Sequence, residues 1–153
     1  MSQQKLFKYR PNAYHHVTFA TKRRKKVLVG EIKERVHYWF GKIAEDHSFE
    51  LLEYNSWINH VHMLIFVRPG EDLSYVMNML KGVSARRIFQ EFPDLKSQIG
   101  ENHLWGRRFR PEEVPESDLE SVRSYIRYQD AIHSRRLGKA PIEEMERWRD
   151  MGD

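Results

Sequence analysis

Two pairs of residues have the types and spacing to do chemistry. The first is His60 and His62, either side of Val61 in the stretch NHVHMLIFV at 59–67. If this stretch is a strand, alternate side chains share a face, so the two imidazoles stand one pleat apart and Val61 turns away. Two imidazoles held that way are half of a metal site; His-x-His also arises by chance in a chain with eight histidines. Leu64 to Val67 are apolar on both faces, as in a central, covered strand, and a core strand holds functional groups more firmly than a loop does. The second pair is Tyr125 and Gln129, four residues apart, which places them on one face of a helix that can lie against the histidine face. Alone this spacing is common. Tyr128 is a rival to Tyr125, turned roughly 60° from it around the helix.

The elements that must position these groups follow from periodicity. Residues 14–21 (YHHVTFAT) and 49–57 (FELLEYNSW) are rich in β-branched and aromatic residues and read as strands, the second forming an antiparallel pair with the histidine strand. Residues 31–46 form an amphipathic helix with Ile32, Val36, Trp39, Phe40 and Ile43 on its apolar stripe. Asp72 caps a second helix carrying Leu73, Val76, Met77 and Leu80, which runs toward Pro93 with a bend expected at Gly82. A short strand is expected at 104–110, with Pro111 and Pro115 preventing a longer one. Ser117 and Glu120 form a capping box opening a last amphipathic helix through about Arg136, ended by Gly138 and Pro141. Strand, helix, strand, strand, helix, strand is the order of a ferredoxin-like sandwich. The expected fold class is therefore α+β: an antiparallel sheet with helices on one face, plus a C-terminal tyrosine-bearing helix. We expect one domain with its core at about 14–136 and terminal extensions at 1–13 and 139–153.

The 153 residues carry a formal net charge of only +4, but the basic residues are bunched. Lys22, Arg23, Arg24, Lys25 and Lys26 are contiguous, and Arg86 and Arg87 form a second cluster. Clustered positive charge favours a polyanion, most often nucleic acid, and these seven residues are the candidate phosphate contacts. The chain has no cysteine, which excludes disulfides and thiolate metal sites. The N-terminus has no apolar signal core and the longest apolar run is too short to span a bilayer, so the expectation is a soluble cytoplasmic protein. His15 and His16 read as surface or DNA-facing groups, His103 as exposed, Trp105 as core, and Tyr14 and Tyr75 as core or strand positions.

From about Tyr14 to Gln129 the chain resembles the single-domain Y1 transposases of the IS200/IS605 type, members of the HUH endonuclease superfamily. The blocks that carry the resemblance are YHHVTFATKRRKKVL at 14–28, NHVHMLI at 59–65, LKGVSARRIFQEFPDLK at 80–96, HLWGRRF at 103–109 and YIRYQ at 125–129. Ile58 stands just before the Asn-His of the motif, where the family commonly has another residue, and Arg110-Pro111-Glu112-Glu113 follows the late strand where a further strand is usual. The resemblance implies an enzyme that nicks and rejoins single-stranded DNA at the ends of a mobile element through a 5′-phosphotyrosine intermediate. By carry-over, Tyr125 is the nucleophile and His60, His62 and Gln129 are ligands to a divalent metal, Mg²⁺ in cells with Mn²⁺ also supporting activity. The resemblance further implies hairpin DNA as partner and a homodimer in which the tyrosine helix can reach the other copy's site, with 111–115 as the permissive link.

Two other readings stand beside it. A ferredoxin-like sheet can bind single strands by aromatic stacking without cleaving them, alone or as a domesticated hairpin-processing relative. A metal-dependent hydrolase would use His60 and His62, but no acidic motif accompanies them.

Overall fold

A computed structural model describes residues 8–129. Four strands, β1 (Ala13–Ala20), β2 (Glu50–Trp57), β3 (His60–Val67) and β4 (Arg110–Val114), form one antiparallel sheet in the order β2-β3-β1-β4. Helices α1 (Gly30–His47) and α2 (Leu73–Glu91) follow β1 and β3, the short α3 (Leu95–Ile99) precedes β4, and α4 (Leu119–Arg127) comes last. This is the expected ferredoxin-like α+β arrangement. The terminal extension beyond 139 and the continuation of the last helix to Arg136 lie outside the described residues.

The period-2 alternation of the central strands sorts the core into two layers. Val61, Met63, Ile65 and Val67 of β3 join Val17 and Phe19 of β1 against Val36, Phe40 and Ile43 of α1 and Val76, Met77 and Leu80 of α2. Phe19, Phe40 and Trp105 meet as an aromatic cluster, with Trp105 donating from Nε1 to Ser84 Oγ at 2.9 Å. The even residues of β3 face the opposite side, where Leu64 packs with Val114 and Ile126 of α4. The sheet is thus covered by α1 and α2 on one face and by α4 on the other.

Helix α2 runs unbroken through Gly82, because Val76, Leu80, Ser84 and Ile88 keep one buried stripe in phase throughout. Asp72 caps it as expected, accepting from Ser74 N at 3.0 Å. The expected capping box of α4 does not form: a 3₁₀ turn over Glu116–Asp118 leads into the helix, and Ser121 Oγ donates to Asp118 O instead. Tyr75 is 52 % exposed on α2, which corrects its reading as core.

The late strand differs most from expectation. Leu104 to Gly106 bond to the end of β1 through Lys22 N to Leu104 O and Gly106 N to Ala20 O, both 2.9 Å. The chain then leaves the sheet and resumes pairing as β4 at Arg110. Between the bridge Thr21–Trp105 and the pair Thr18–Arg110, β1 advances three residues and the late strand five, so the late strand carries a bulge of two extra residues. Pro111 is tolerated because β4 pairs only with β1 and is a sheet edge. Residues 111–114, expected as a permissive link, are therefore a paired strand. Lys81 of α2 holds the bulge, donating from Nζ to Gly106 O at 2.6 Å and Arg108 O at 3.2 Å. Burial pulls the Lys81 ammonium down to about 8.

The turn from β2 into β3 is tight. Ile58 takes φ +49°, an unfavourable conformation for a β-branched residue, and Leu28 N donates to Ile58 O at 2.8 Å to hold it. This sets the register Trp57–His60 on which the histidine face depends. Among the described residues no helix is long and apolar enough to cross a membrane.

Two outcomes follow for stability. Phe40→Ala should cost about 3–5 kcal/mol in denaturant unfolding, since the ring is fully buried between α1 and the sheet. The folded state gives up the Lys81 proton near pH 8 while the unfolded chain keeps it to about 10.5, so this group makes stability rise with pH across that window. Thermal unfolding of wild type and Lys81→Met at several pH values should show the wild type gaining on the variant between pH 8 and 10.5; a pH-independent difference would contradict the assignment.

Candidate active site

His60 and His62 lie on the α4 side of β3, 0 % and 2 % exposed, with ring centroids 5.2 Å apart. Alternation along the strand puts them on one face, and the register with β1 and β2 surrounds them. The His60 Nδ1 lies 3.0 Å from Asn59 Oδ1. The His62 Nδ1 lies 3.0 Å from His16 Nε2 and 3.5 Å from Thr18 Oγ1, both on β1. Burial pushes the His16 imidazole below its ordinary value, opposed in part by the negative charge of Glu112. That carboxylate belongs to the residue paired with His16 on β4.

Helix α4 reaches this face because Leu119, Val122 and Ile126 form an apolar stripe at helical spacing, which packs with Leu64, Val114, Tyr14 and Leu52. Polar contacts from β2 fix its position. Asn55 Nδ2 donates to the carbonyls of Ile126 and Arg127 at 3.1 and 3.0 Å, satisfying acceptors at the helix C-terminus. Glu53 pairs with Arg123 at 3.3 Å and with Arg127 at 3.1 Å. The two arginines that flank the tyrosine along the helix are thus drawn to a carboxylate on β2.

So docked, α4 sets the Tyr125 ring edge-on to His62 at 5.7 Å and to His16 at 6.0 Å, with the side chain still 41 % exposed. Gln129 is fully buried and donates from Nε2 to Tyr125 O at 3.1 Å, so its amide oxygen is the atom suited to bind a cation. Tyr128 is the residue capping the C-terminus of α4, 55 % exposed. Tyr125 is therefore brought onto His62, which lies beside His60, and Gln129 is bonded to the Tyr125 backbone, all within a single chain. Among the described residues no group of three His, Asp or Glu is placed to hold a metal ion.

The two basic clusters separate. Lys22 to Arg24 form a 3₁₀ turn directly after β1, at the end of the sheet where Ala20 pairs with His60, and Lys25 and Lys26 continue it. Asn59 Nδ2 donates to Arg24 O at 3.5 Å, tying that turn to the histidine motif, and Arg23 pairs with Glu101 at 3.2 Å. Arg86 and Arg87 are exposed on α2, in the other layer, with the Arg87 guanidinium 5.0 Å from the Trp39 ring. A cavity of about 450 Å³ on that layer is lined by Lys81, Phe89, Trp105 and Arg107, among others. His103 is exposed and Trp105 is core, as expected.

His15 and His16 are not the surface groups expected. His15 is 3 % exposed, with Nε2 2.9 Å from Arg10 O, and His16 packs on His62. Along with His16, sequence reasoning missed Asn55, Glu53 and the role of Asn59. The Asn-His adjacency was visible; the others depend on cross-strand register.

Comparison with known proteins identifies the family and supports the fold. The chain is 28 % identical over 127 residues to the transposase for insertion sequence element IS200 of Salmonella typhimurium, covering 83 % of each. It is 30 % identical over 115 residues to the ISDra2 transposase TnpA of Deinococcus radiodurans, covering 75 % of this chain and 82 % of that one. A crystal structure of a Deinococcus radiodurans R1 protein assigned as a transposase superposes with a TM-score of 0.63 at 30 % identity, covering 83 % of this chain and 98 % of the other. A REP-associated tyrosine transposase bound to a REP hairpin shares the fold, with a TM-score of 0.59 at 18 % identity over 87 % of this chain and 74 % of its own. The family model described as IS200-like transposase matches residues 9–129, which spans every element from β1 to Gln129, and the chain belongs to the IS200-like transposase family.

Proposed function

We propose that this member of the family cuts and rejoins single-stranded DNA at the ends of a mobile element, with Tyr125 as nucleophile. The observation that carries this reading is the packing of Tyr125 on His62, with Gln129 buried one turn further along. The exposed tyrosine can meet a strand from solvent while the histidines stay in the protein.

His60, His62 and Gln129 would hold a divalent cation. The donor set fits: two imidazoles and an amide oxygen suit Mg²⁺ or Mn²⁺, and three protein ligands leave positions open to phosphate oxygen and water. When bound, the ion would supply Lewis-acid neutralisation of charge on the scissile phosphate. The remaining steps belong to the chain. The Tyr125 Oη attacks phosphorus, the bond from phosphorus to the 3′-oxygen breaks, and the phenol proton is lost as the departing oxygen becomes a 3′-hydroxyl. The product is a 5′-phosphotyrosine. One phosphodiester replaces another, so a 3′-hydroxyl attacking in reverse rejoins strands without a further energy source.

Lys22 to Lys26 would meet phosphates at the histidine end of the sheet, where a strand entering the site must pass. Arg86 and Arg87, on the other layer, would contact a more distant part of the DNA. A hairpin is the substrate we propose, in keeping with the REP hairpin held by the structural neighbour. We also propose the homodimer that the family resemblance implies.

With a labelled single-stranded hairpin from the ends of the element and Mn²⁺, the wild type should form a denaturation-resistant protein–DNA adduct. Chelation, His60→Ala or Tyr125→Phe should abolish it, and Tyr128→Phe should leave it intact. An adduct that survives Tyr125→Phe and disappears with Tyr128→Phe would reassign the nucleophile; tight binding with no adduct would favour a binding module. Light scattering at micromolar protein should give a mass twice that of the chain, and a single-chain mass at all concentrations would rule out the dimer.

A further inference from the structure

The two histidines differ from an ordinary His-x-His pair in what holds their Nδ1 atoms. Asn59 is 2 % exposed, with Nδ2 3.5 Å from the carbonyl of Arg24 and Oδ1 3.0 Å from His60 Nδ1. An amide oxygen only accepts, so His60 must carry its proton on Nδ1 when neutral, which makes Nε2 the nitrogen with the lone pair. For His62, the partner is another imidazole. Its Nδ1 and His16 Nε2 lie 3.0 Å apart, and one of the two must donate. His16 sits on β1 between β3 and β4, with His62 on the β3 side and the carboxylate-bearing Glu112, its cross-strand partner on β4, on the other. The Glu112 charge favours a proton on His16 directed away from His62, which leaves His16 Nε2 as acceptor and His62 Nδ1 as donor.

We propose that Asn59 and His16 are positioning residues, each accepting from Nδ1 of one histidine so that both Nε2 lone pairs are presented for metal binding. The inference rests on the metal reading of His60 and His62 and adds to it the groups that select the tautomer. A metal-bound histidine ordinarily donates its second ring N–H to such a partner, and losing the partner weakens metal affinity by roughly 10–100-fold. The Thr18 hydroxyl lies 3.5 Å from the same His62 Nδ1, a longer contact than the 3.0 Å to His16. In the other tautomer, with His16 donating, His62 Nε2 would carry the proton and a ligand would have to be deprotonated or turned over before binding.

The test has two readouts on the same full-length protein. Long-range ¹H–¹⁵N correlation spectra of the metal-free wild type, at a fixed pH where the rings are neutral, report directly which nitrogen of His60 and His62 is protonated. Nδ1–H is expected on both; Nε2–H on His62 overturns the role of His16, and Nε2–H on His60 overturns that of Asn59. Mn²⁺ titration, followed by loss of the free-ion electron paramagnetic resonance signal, is then compared for wild type, His16→Gln and His16→Leu. His16→Leu should bind roughly 10–100-fold more weakly. His16→Gln, which keeps an acceptor at that position, should recover most of the affinity, as a merely space-filling role would not require. Equal, measurable affinities in all three overturn the proposal. A wild type that shows both Nδ1–H tautomers yet binds no Mn²⁺ overturns instead the metal reading on which the proposal stands, so the spectra and the wild-type titration together tell the two failures apart.

Discussion

A strand covered on both faces is the constraint on which the rest of this structure depends. Strand β3 lies inside the sheet, between β2 and β1, and every residue but Phe66 is buried. Its odd residues are committed to the helical core under α1 and α2, so its even residues must accept whatever the other face becomes. At the start of the strand that face holds His60 and His62, and further along it holds Leu64. The same pleat that anchors the core therefore delivers two imidazoles to fixed positions under α4.

Burying imidazoles has a cost unless their polar atoms find partners; leaving a buried donor or acceptor unmet is worth roughly 1–3 kcal/mol. Asn59 and His16 meet the Nδ1 atoms, and both partners are held by other parts of the fold: Asn59 through the carbonyl of Arg24, His16 through its place on a central strand. Polar contacts and packing also share the docking of α4. The apolar stripe ending in Ile126 covers Leu64, while Asn55 and Glu53 on β2 fix the height and rotation of the helix. Surface ion pairs alone contribute little, but Glu53 is largely covered and engages two arginines, and Asn55 satisfies the helix-end carbonyls of Ile126 and Arg127. The effect is to seat Tyr125 beside the histidines of its own chain while its ring stays open to solvent.

Charge is arranged with the same economy. The basic turn after β1 lies at the histidine end of the sheet, whereas the arginines of α4 are turned to Glu53. Positive charge at the histidine end of the sheet is therefore carried by the turn at Lys22 to Lys26, while Arg123 and Arg127 on the tyrosine helix pair with Glu53.

The sequence by itself determined what local periodicity encodes. Alternation over 59–67 placed His60 and His62 on one face, a spacing of four placed Tyr125 and Gln129 on one side of a helix, and the order of elements specified the ferredoxin-like sandwich. Each of these follows from the geometry of one element, so no distant residue is needed to read it. Tertiary structure alone decided which residues complete the face. His16 meets His62 across 46 positions of chain, and Asn55 reaches Ile126 across 71, through a strand register that no local pattern reveals. The same holds for the late strand: one strand was expected at 104–110, and the sheet instead splits it around a two-residue bulge held by Lys81. A register is chosen by the packing of whole faces against one another, and that choice exists only once the layers have come together.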